Sequence, residues 1–392
     1  MEKTQGNKQG FKVLLAGAAL QLFLGIIYVW SAFVKPVSDT LGWGIEKVKL
    51  TSSYMLCFFV LGIFFGGKLQ NKIGSQKTVL LGGLMLAAGM FATAFIPVQY
   101  PWLIYITYGI VGGFGVGAGY NSVISSAQKW FLKNRGFATG FSVCAFGFST
   151  VIFMPVVKTL VGKIGLQNTF MSLAGVCLVM VLALFSFIKF PKITAQNSIE
   201  YDEKKQFTMT QMLKRKEFYF ITLSMMFVTA PFFILNPSFL DFATQRGLSD
   251  NAGAIMVMIS GVANALGRLG APLLSDKIGR DKAILTIILA TAVSCVFLAF
   301  VPGYTFIVFV AIIAFCYGGT SGIYPVITGD RFGLKNVGSN YGAVMMGFAL
   351  SALTFPMIIG QIGDLTMKFV VLTGLAVAAA ICIVLLMLSK KK

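Results

Sequence analysis

The sequence predicts an all-α membrane protein in which twelve transmembrane helices form two pseudo-symmetric bundles of six. Three observations support this fold class: the composition, the spacing of apolar stretches and the placement of basic residues. Of the 392 residues, 57% are hydrophobic and only 11% are charged, and the 37 phenylalanines are spread along the whole chain. A soluble domain carries about twice as much charge, so we expect the chain to lie in a membrane.

Twelve apolar stretches are long enough to cross a bilayer as helices, which takes roughly 20 residues each. They lie near residues 11–34, 51–69, 77–96, 102–127, 137–158, 168–190, 218–240, 252–275, 282–301, 304–328, 338–362 and 367–388. The first stretch lacks a small-residue cleavage site and eleven others follow it. We therefore interpret it as a retained span and not as a signal peptide.

The basic residues test the twelve-span interpretation independently, because Lys and Arg concentrate in cytoplasmic loops. With the N-terminus inside, 24 of the 32 basic residues fall in cytoplasmic segments and seven fall in external loops. This pattern predicts a multi-pass protein of the plasma or inner membrane with both termini in the cytoplasm. The formal net charge of +19 then reflects topology and attraction to anionic lipid, and nucleic-acid binding is not expected.

Two repeated motifs divide the chain into halves. Residues 72–77 recur at 277–282, and the Lys-Asn-x-Gly-x-x-x-Gly pattern of residues 133–140 recurs at 335–342. Matching repeats are typical of transporters built from two related bundles. The predicted domains are an N-terminal six-helix bundle at 1–190, a cytoplasmic linker at 191–217 and a C-terminal six-helix bundle at 218–392.

The residue types that support catalysis or metal binding are scarce in this chain. It has no His, and its six cysteines are scattered through apolar stretches without CxxC spacing. All 13 acidic residues fall in tails, loops or span ends, so paired carboxylates inside the membrane are not expected. We therefore predict no enzymatic activity, no metal site and no cofactor.

Arg268 is the one basic residue that cannot be assigned to a tail, a loop or the end of a predicted span. Keeping an unpaired cation in hydrocarbon costs at least about 3 kcal/mol, so an intramembrane Arg is a functional-site hypothesis. Ser260 and Asn264 share its helix face. A guanidinium meets a carboxylate with two parallel hydrogen bonds, which makes a small carboxylate the expected ligand. The alternative is that Arg268 snorkels to the inner headgroups.

Aromatic hydroxyls on other spans are candidates for the same site. Tyr28 lies on the first span, Tyr120 on the fourth, and Tyr317 and Tyr324 on one face of the tenth. Tyr hydroxyls can donate hydrogen bonds to a carboxylate, and aromatic walls exclude water. Each polar face taken alone is more typical of helix packing than of ligand contact.

Two loops resemble the signature of the major facilitator superfamily. They read Gly67-x-Leu69-x-Asn71-Lys72-x-Gly74-x-x-Lys77 and Leu274-x-Asp276-Lys277-x-Gly279-Arg280-x-Lys282. The resemblance implies a conformational latch at Asn71, Asp276 and Arg280. Because Asn71 stands where the family usually has Asp, we expect the first-half latch to be weaker and the second-half latch to be intact.

A closer resemblance is to the oxalate/formate antiporter family and the related monocarboxylate transporters. It rests on Gly25-x-x-Tyr28-x-Trp30-Ser31-x-Phe33, on Gly115-x-Gly117-x-Gly119-Tyr120 with Gln128-Lys129-Trp130-Phe131 and Arg135-Gly136-x-Ala138-x-Gly140, and on Asn264-x-x-Gly267-Arg268. It implies that Arg268 binds the substrate carboxylate. Phe348 aligns with a Lys of the oxalate carrier, and Asn264 stands where proton-coupled monocarboxylate transporters have Asp. The predicted substrate-binding residues are Arg268, Asn264, Tyr28, Tyr120, Tyr324, Tyr317 and Phe348.

These features predict a monomeric secondary active transporter of small organic anions, with monocarboxylates such as lactate, pyruvate or formate as the expected substrates. A bound carboxylate would offset the charge of Arg268, which favours exchange over uniport. Proton coupling stays open, with the proton riding on the substrate or on water. The alternatives are an oxalate/formate-type dicarboxylate antiporter, a drug/proton antiporter of the same fold and a membrane sensor of carboxylates.

Overall fold

The computed structural model describes residues 2–191, 206–236, 242 and 248–389. Most of these residues are helical and none of them forms a strand, which confirms the all-α fold class. The α-helices are α1 (Glu2–Leu24), α2 (Trp30–Leu41), α3 (Ile45–Ile73), α4 (Ser75–Thr93), α5 (Gly113–Trp130), α6 (Arg135–Leu184), α7 (Met209–Leu213), α8 (Lys216–Leu235), α9 (Asp250–Ile278), α10 (Arg280–Phe300), α11 (Thr305–Phe332), α12 (Val337–Gly360) and α13 (Leu365–Leu388). Short 3-10 or π-helical segments occur at Gly25–Val29, Tyr105–Gly112 and Phe185–Phe187.

Nine helical stretches in the described part of the chain are long and apolar enough to cross a membrane. One of them holds the two predicted spans 137–158 and 168–190, which α6 joins through Gly165. This residue has a φ of +80°, a value that glycine adopts without steric strain. The predicted spans 77–96 and 102–127 fall on α4 and on the helical residues 105–130, outside those nine stretches. Together these helices account for the twelve predicted spans.

The chain forms two compact units. Unit 1 comprises Met1–Leu132, Phe141–Gln206 and Leu334–Ala343, and unit 2 comprises Lys133–Gly140, Phe207–Gly333 and Val344–Lys392. The first turns of α6 therefore belong to unit 2, and the first turns of α12 belong to unit 1.

Most of the predicted linker, residues 192–205, lies outside the described residues. Its described end contains the short helix α7. The side chains of Thr208 and Gln211 bond to each other's backbone N–H at the start of this helix. Such a reciprocal cap satisfies donors that the first turn cannot satisfy internally.

Glycines bring the backbones of α9 and α11 together in unit 2. A Cβ added to Gly267 would lie 1.9 Å from the carbonyl oxygen of Phe315, and one added to Gly318 would lie 2.0 Å from that of Asn264. Any larger side chain at either glycine would force the two helices apart. Close backbone approach through small residues is typical of membrane helices, and here it fixes the position of the helix that carries Arg268.

Candidate substrate-binding site

Arg268 is buried within unit 2, with 5% of its surface exposed. Its Nε donates a hydrogen bond of 2.9 Å to Oδ1 of Asn264, one turn earlier on α9. This bond fixes the plane of the guanidinium, because Nε belongs to the rigid planar group. A side chain that snorkels along the outer surface would be exposed, so the burial of Arg268 argues against that alternative. Ser260 instead donates to the carbonyl oxygen of Val257 on its own helix.

Tyr317 lies on α11 next to Gly318, the residue that packs against Asn264. Its ring stacks on Phe232 of α8, with ring centroids 4.0 Å apart, and meets Phe233 edge-on at 5.8 Å. Phe348 of α12 approaches Phe233 at 5.0 Å and Tyr317 at 6.4 Å. We call Phe232, Phe233, Tyr317 and Phe348 the unit 2 aromatic cluster. Tyr317 and Phe348 are predicted site residues, whereas Phe232 and Phe233 were not predicted from the sequence.

Tyr324 is fully buried between α11 and α8. Its hydroxyl shares a hydrogen bond with the hydroxyl of Ser224. The structure therefore places this predicted site residue in a contact between two helices. The bond to Ser224 engages the hydroxyl that was expected to face a substrate.

Tyr28 and Tyr120 meet on a common neighbour in unit 1. Their rings lie 5.2 Å and 4.8 Å from the ring of Phe146 on α6, and Phe59 of α3 lies 5.4 Å from Tyr120. We call these four residues the unit 1 aromatic cluster. Tyr120 is buried and Tyr28 is partly exposed. Gln21 also bonds to the carbonyl oxygen of Tyr120, at 3.1 Å.

Asp276, at the end of α9, contacts the first turn of α6 inside unit 2. Its carboxylate accepts hydrogen bonds from the backbone N–H groups of Gly136 (3.0 Å) and Phe137 (2.8 Å). N–H groups at a helix start lack partners within the helix and carry partial positive charge, so a carboxylate there is stabilising.

Arg280 extends this contact into a network of ion pairs. It pairs with Asp276 and, at 3.1 Å, with Asp330. Arg135, the first residue of α6, pairs with the same Asp330 at 2.9 Å. We call Arg135, Asp276, Arg280 and Asp330 the unit 2 ion-pair network.

Asn71 occupies the repeat position of Asp276 and contacts the start of α12 inside unit 1. Its Nδ2 donates to Oδ1 of Asn336 at 3.3 Å and to Oγ of Ser339 at 3.4 Å. These bonds are long and neutral. The two repeats therefore make contacts at equivalent positions, but the contact at Asp276 involves charged groups and the contact at Asn71 involves neutral ones.

The sequence matches the Major Facilitator Superfamily over residues 14–356, with a second, overlapping match over residues 221–392. The chain belongs to this superfamily of membrane transporters, and it is not an enzyme.

Three relatives make the comparison more specific. The chain is 27% identical to the uncharacterized MFS-type transporter YhjX of Escherichia coli, covering 87% of this chain and 85% of the relative. It is 26% identical to the oxalate:formate antiporter of Oxalobacter formigenes, covering 86% and 80%. It is 25% identical to monocarboxylate transporter 12 of Xenopus laevis, covering 85% and 78%. The resemblance noted in the sequence is thereby confirmed.

Solved structures show the same fold. The proton:xylose symporter XylE, bound to 6-bromo-6-deoxy-D-glucose, has a TM-score of 0.71 with this chain and covers 96% of it and 95% of its own length. At 14% sequence identity, this similarity speaks to the fold alone.

Proposed function

We propose that this chain transports small organic anions, with monocarboxylates as the preferred class, and that Arg268 binds the substrate carboxylate. The observation that carries the proposal is a buried guanidinium on a membrane span, oriented through Nε by a neutral Asn264. A cation held in this way suits an anionic ligand. Relatives named as an oxalate:formate antiporter and a monocarboxylate transporter support the same class of substrate.

The unit 2 aromatic cluster supports a preference for substrates that carry a single carboxylate. Phe348 packs against Phe233 and Tyr317, and the resemblance to the oxalate/formate antiporter family implies that it stands where the oxalate carrier has a Lys. An apolar substrate tail gains by contact with such rings, whereas a second carboxylate would lose its hydration there without a matching charge. Lactate, pyruvate and formate are therefore the substrates to test first.

The transport cycle follows from the cost of moving a buried charge. We propose alternating access, in which bound carboxylate offsets the charge of Arg268 and lets the loaded carrier change state more readily than the empty one. This favours exchange of anions over uniport. We further propose that the protein lies in the plasma or inner membrane as a monomer with both termini in the cytoplasm.

Substitution of Arg268 by Lys tests the proposal. Lys keeps the charge but lacks the planar fork, so the two parallel hydrogen bonds to a carboxylate are lost. Because a hydrogen bond to a charged group contributes about 1.5–3 kcal/mol, the apparent affinity should fall by about tenfold to a hundredfold. Uptake of labelled lactate, pyruvate and formate into proteoliposomes measures this effect.

A matched control is Arg215→Lys, because Arg215 forms an exposed pair with Glu217. This variant should transport like the wild type. Unchanged carboxylate uptake in Arg268→Lys would contradict the assigned role of Arg268.

The relative named as an oxalate:formate antiporter favours a second candidate function, exchange of dicarboxylates. Competition of oxalate with labelled formate separates the two candidates. A monocarboxylate carrier should be inhibited weakly by oxalate, and a dicarboxylate antiporter strongly.

A further inference from the structure

The two repeats differ systematically in charge where the ends of α3, α5, α9 and α11 meet helix starts. At the repeat offset of 205 residues, Asp276 corresponds to Asn71 and Asp281 corresponds to Gln76. At the offset of 202 residues, Asp330 corresponds to Gln128. Each of these three acidic residues of the second repeat is thus an amide in the first. The same offset places Arg331 opposite Lys129, so the first repeat keeps the cation and lacks the three acids.

Arg331 and Lys129 have different surroundings as a result. In unit 2, an Nη of Arg331 donates to both carboxylate oxygens of Asp281, at 2.9 Å and 3.0 Å. In unit 1, the Nζ of Lys129 lies 3.5 Å from the ring centroid of Phe190 and 3.5 Å from the carbonyl oxygen of Lys335. Lys129 is 8% exposed. A ring face and one long carbonyl contact replace the carboxylate that its counterpart has.

The residue before Lys129 is also buried without hydrogen-bond partners among the described residues. Gln128 is fully buried, and neither its Oε1 nor its Nε2 has a hydrogen-bond partner among the described residues. Buried polar atoms without partners cost free energy. Asp330, the counterpart of Gln128, forms ion pairs with Arg135 and Arg280 in unit 2. Gln128 at the end of α5 has no hydrogen-bond partner among the described residues.

In the described part of unit 1, seven charged side chains lie on the ends of the elements that surround the end of α5, and all seven are basic. They are Lys8 and Lys12 on α1, Lys68 and Lys72 on α3, Lys77 on α4, Lys189 after α6, and Lys335 before α12. The acidic residues with described side chains in unit 1 are Asp39 and Glu46. Glu46 begins the helix that Lys72 ends, about 39 Å away along the helix axis. The charged side chains near the end of α5 in the described part of unit 1 therefore do not favour a proton on Lys129.

We propose that Lys129 is a proton-binding site that adjusts the contact between the end of α5 and the first turns of α12 inside unit 1. The bound proton puts a positive charge between Phe190 and the Lys335 carbonyl, and its release leaves a neutral amine there. Burying the charged form costs more than burying the neutral form. Loss of the proton therefore strengthens the packed arrangement.

The lowered pKa of Lys129 determines the direction of the pH effect. Lys129 lies beyond the predicted span 102–127, and burial lowers its pKa from the ordinary 10.5 to about 8. Between about pH 8 and pH 10.5, Lys129 is mostly neutral in the packed arrangement but mostly protonated in an arrangement that exposes it to water. The packed arrangement therefore binds fewer protons in this range. Its stability therefore rises with pH in that window and is constant below it.

Tryptophan fluorescence tests the proposal without any assay of transport, so its outcome is independent of the proposed function. Trp130 follows Lys129 in sequence, and its Nε1 donates to the carbonyl oxygen of Lys189, next to Phe190, at 2.7 Å. Emission of the full-length protein in detergent is recorded from about pH 6.5 to about pH 10. We expect one transition with a midpoint near pH 8 in the wild type, and its loss in Trp130→Phe.

Variants of Lys129 identify the titrating group. The transition should be absent in Lys129→Met, which has no charge to lose, and in Lys129→Arg, which keeps its proton throughout. Lys12→Met changes an exposed lysine and should retain the transition. A wild-type signal that does not change, or a transition that survives in Lys129→Met or Lys129→Arg, overturns the proposal. Lys129→Arg preserves the charge and size, so the test does not depend on Lys129→Met folding.

Discussion

At the scale of single residues, Arg268 and Asn264 have separate tasks. Asn264 accepts the hydrogen bond from Nε and so orients the guanidinium without adding a negative charge. An Asp at this position would form an ion pair with Arg268 and would compete with a carboxylate ligand. We propose that this neutral side chain favours anion binding while it still holds Arg268 in place.

We propose that the charge of the preferred substrate depends on Phe348. Replacing it by Lys would add a second cation to the unit 2 aromatic cluster. We expect Phe348→Lys to raise oxalate uptake relative to lactate uptake by about tenfold, because a second charge-assisted hydrogen bond contributes about 1.5 kcal/mol or more. Uptake of both labelled anions into proteoliposomes gives this ratio.

Phe348→Met is the matched control, since it removes the ring without adding charge. The ratio of oxalate to lactate uptake should stay at the wild-type value in this variant. If Phe348→Lys also leaves the ratio unchanged, then matching of charges does not select the substrate.

At the scale of helices, the starts of α6 and α12 receive unequal support. A carboxylate and two Arg side chains act at the start of α6, whereas neutral hydrogen bonds from Asn71 act at the start of α12. We propose that both contacts work as latches during transport, and that the one at Asp276 is stronger. The reason is electrostatic, because a helix start attracts negative charge.

Asn71→Asp should strengthen the weaker contact. The new carboxylate would face the first turn of α12, where a negative charge contributes about 0.3–1 kcal/mol. We expect a higher midpoint of thermal unfolding in detergent for Asn71→Asp and a lower one for Asp276→Asn. Raising the salt concentration should reduce the gain, since Asn71 is exposed and its charge would be screened.

Gln99→Glu serves as the control for Asn71→Asp, because it adds the same charge at an exposed position in the turn after α4 and not in the first turn of a helix. A similar rise in both variants would show that net charge, and not the helix start, is responsible. No rise in Asn71→Asp would argue against the electrostatic account.

The sequence was sufficient for some of these elements and insufficient for others. Apolar length predicted the spans, and Arg268 was identifiable because a charge inside an apolar helix is costly. Phe232 and Phe233 were not predicted, because two phenylalanines among 37 carry no distinguishing pattern. The bond between Tyr324 and Ser224 was not predicted either, since the residues are 100 positions apart and depend on how α8 packs against α11.

At the scale of the whole molecule, the membership in the Major Facilitator Superfamily and the burial of Arg268 bear on the mode of transport. In the proposed cycle, a carrier that changes state with its substrate bound moves Arg268 together with an opposite charge. A carrier that returns empty moves it without that charge. The difference predicts a preference for exchange.

The preference can be measured in proteoliposomes loaded with labelled lactate, pyruvate or formate at equal pH on both sides. A penalty of about 3 kcal/mol for the charge would slow efflux into substrate-free buffer by about a hundredfold relative to efflux against external substrate. Protein-free liposomes correct for leakage of the protonated acid. Efflux into substrate-free buffer that is as fast as exchange would mean that the empty carrier returns freely, and the coupling of transport to the charge of Arg268 would then be wrong.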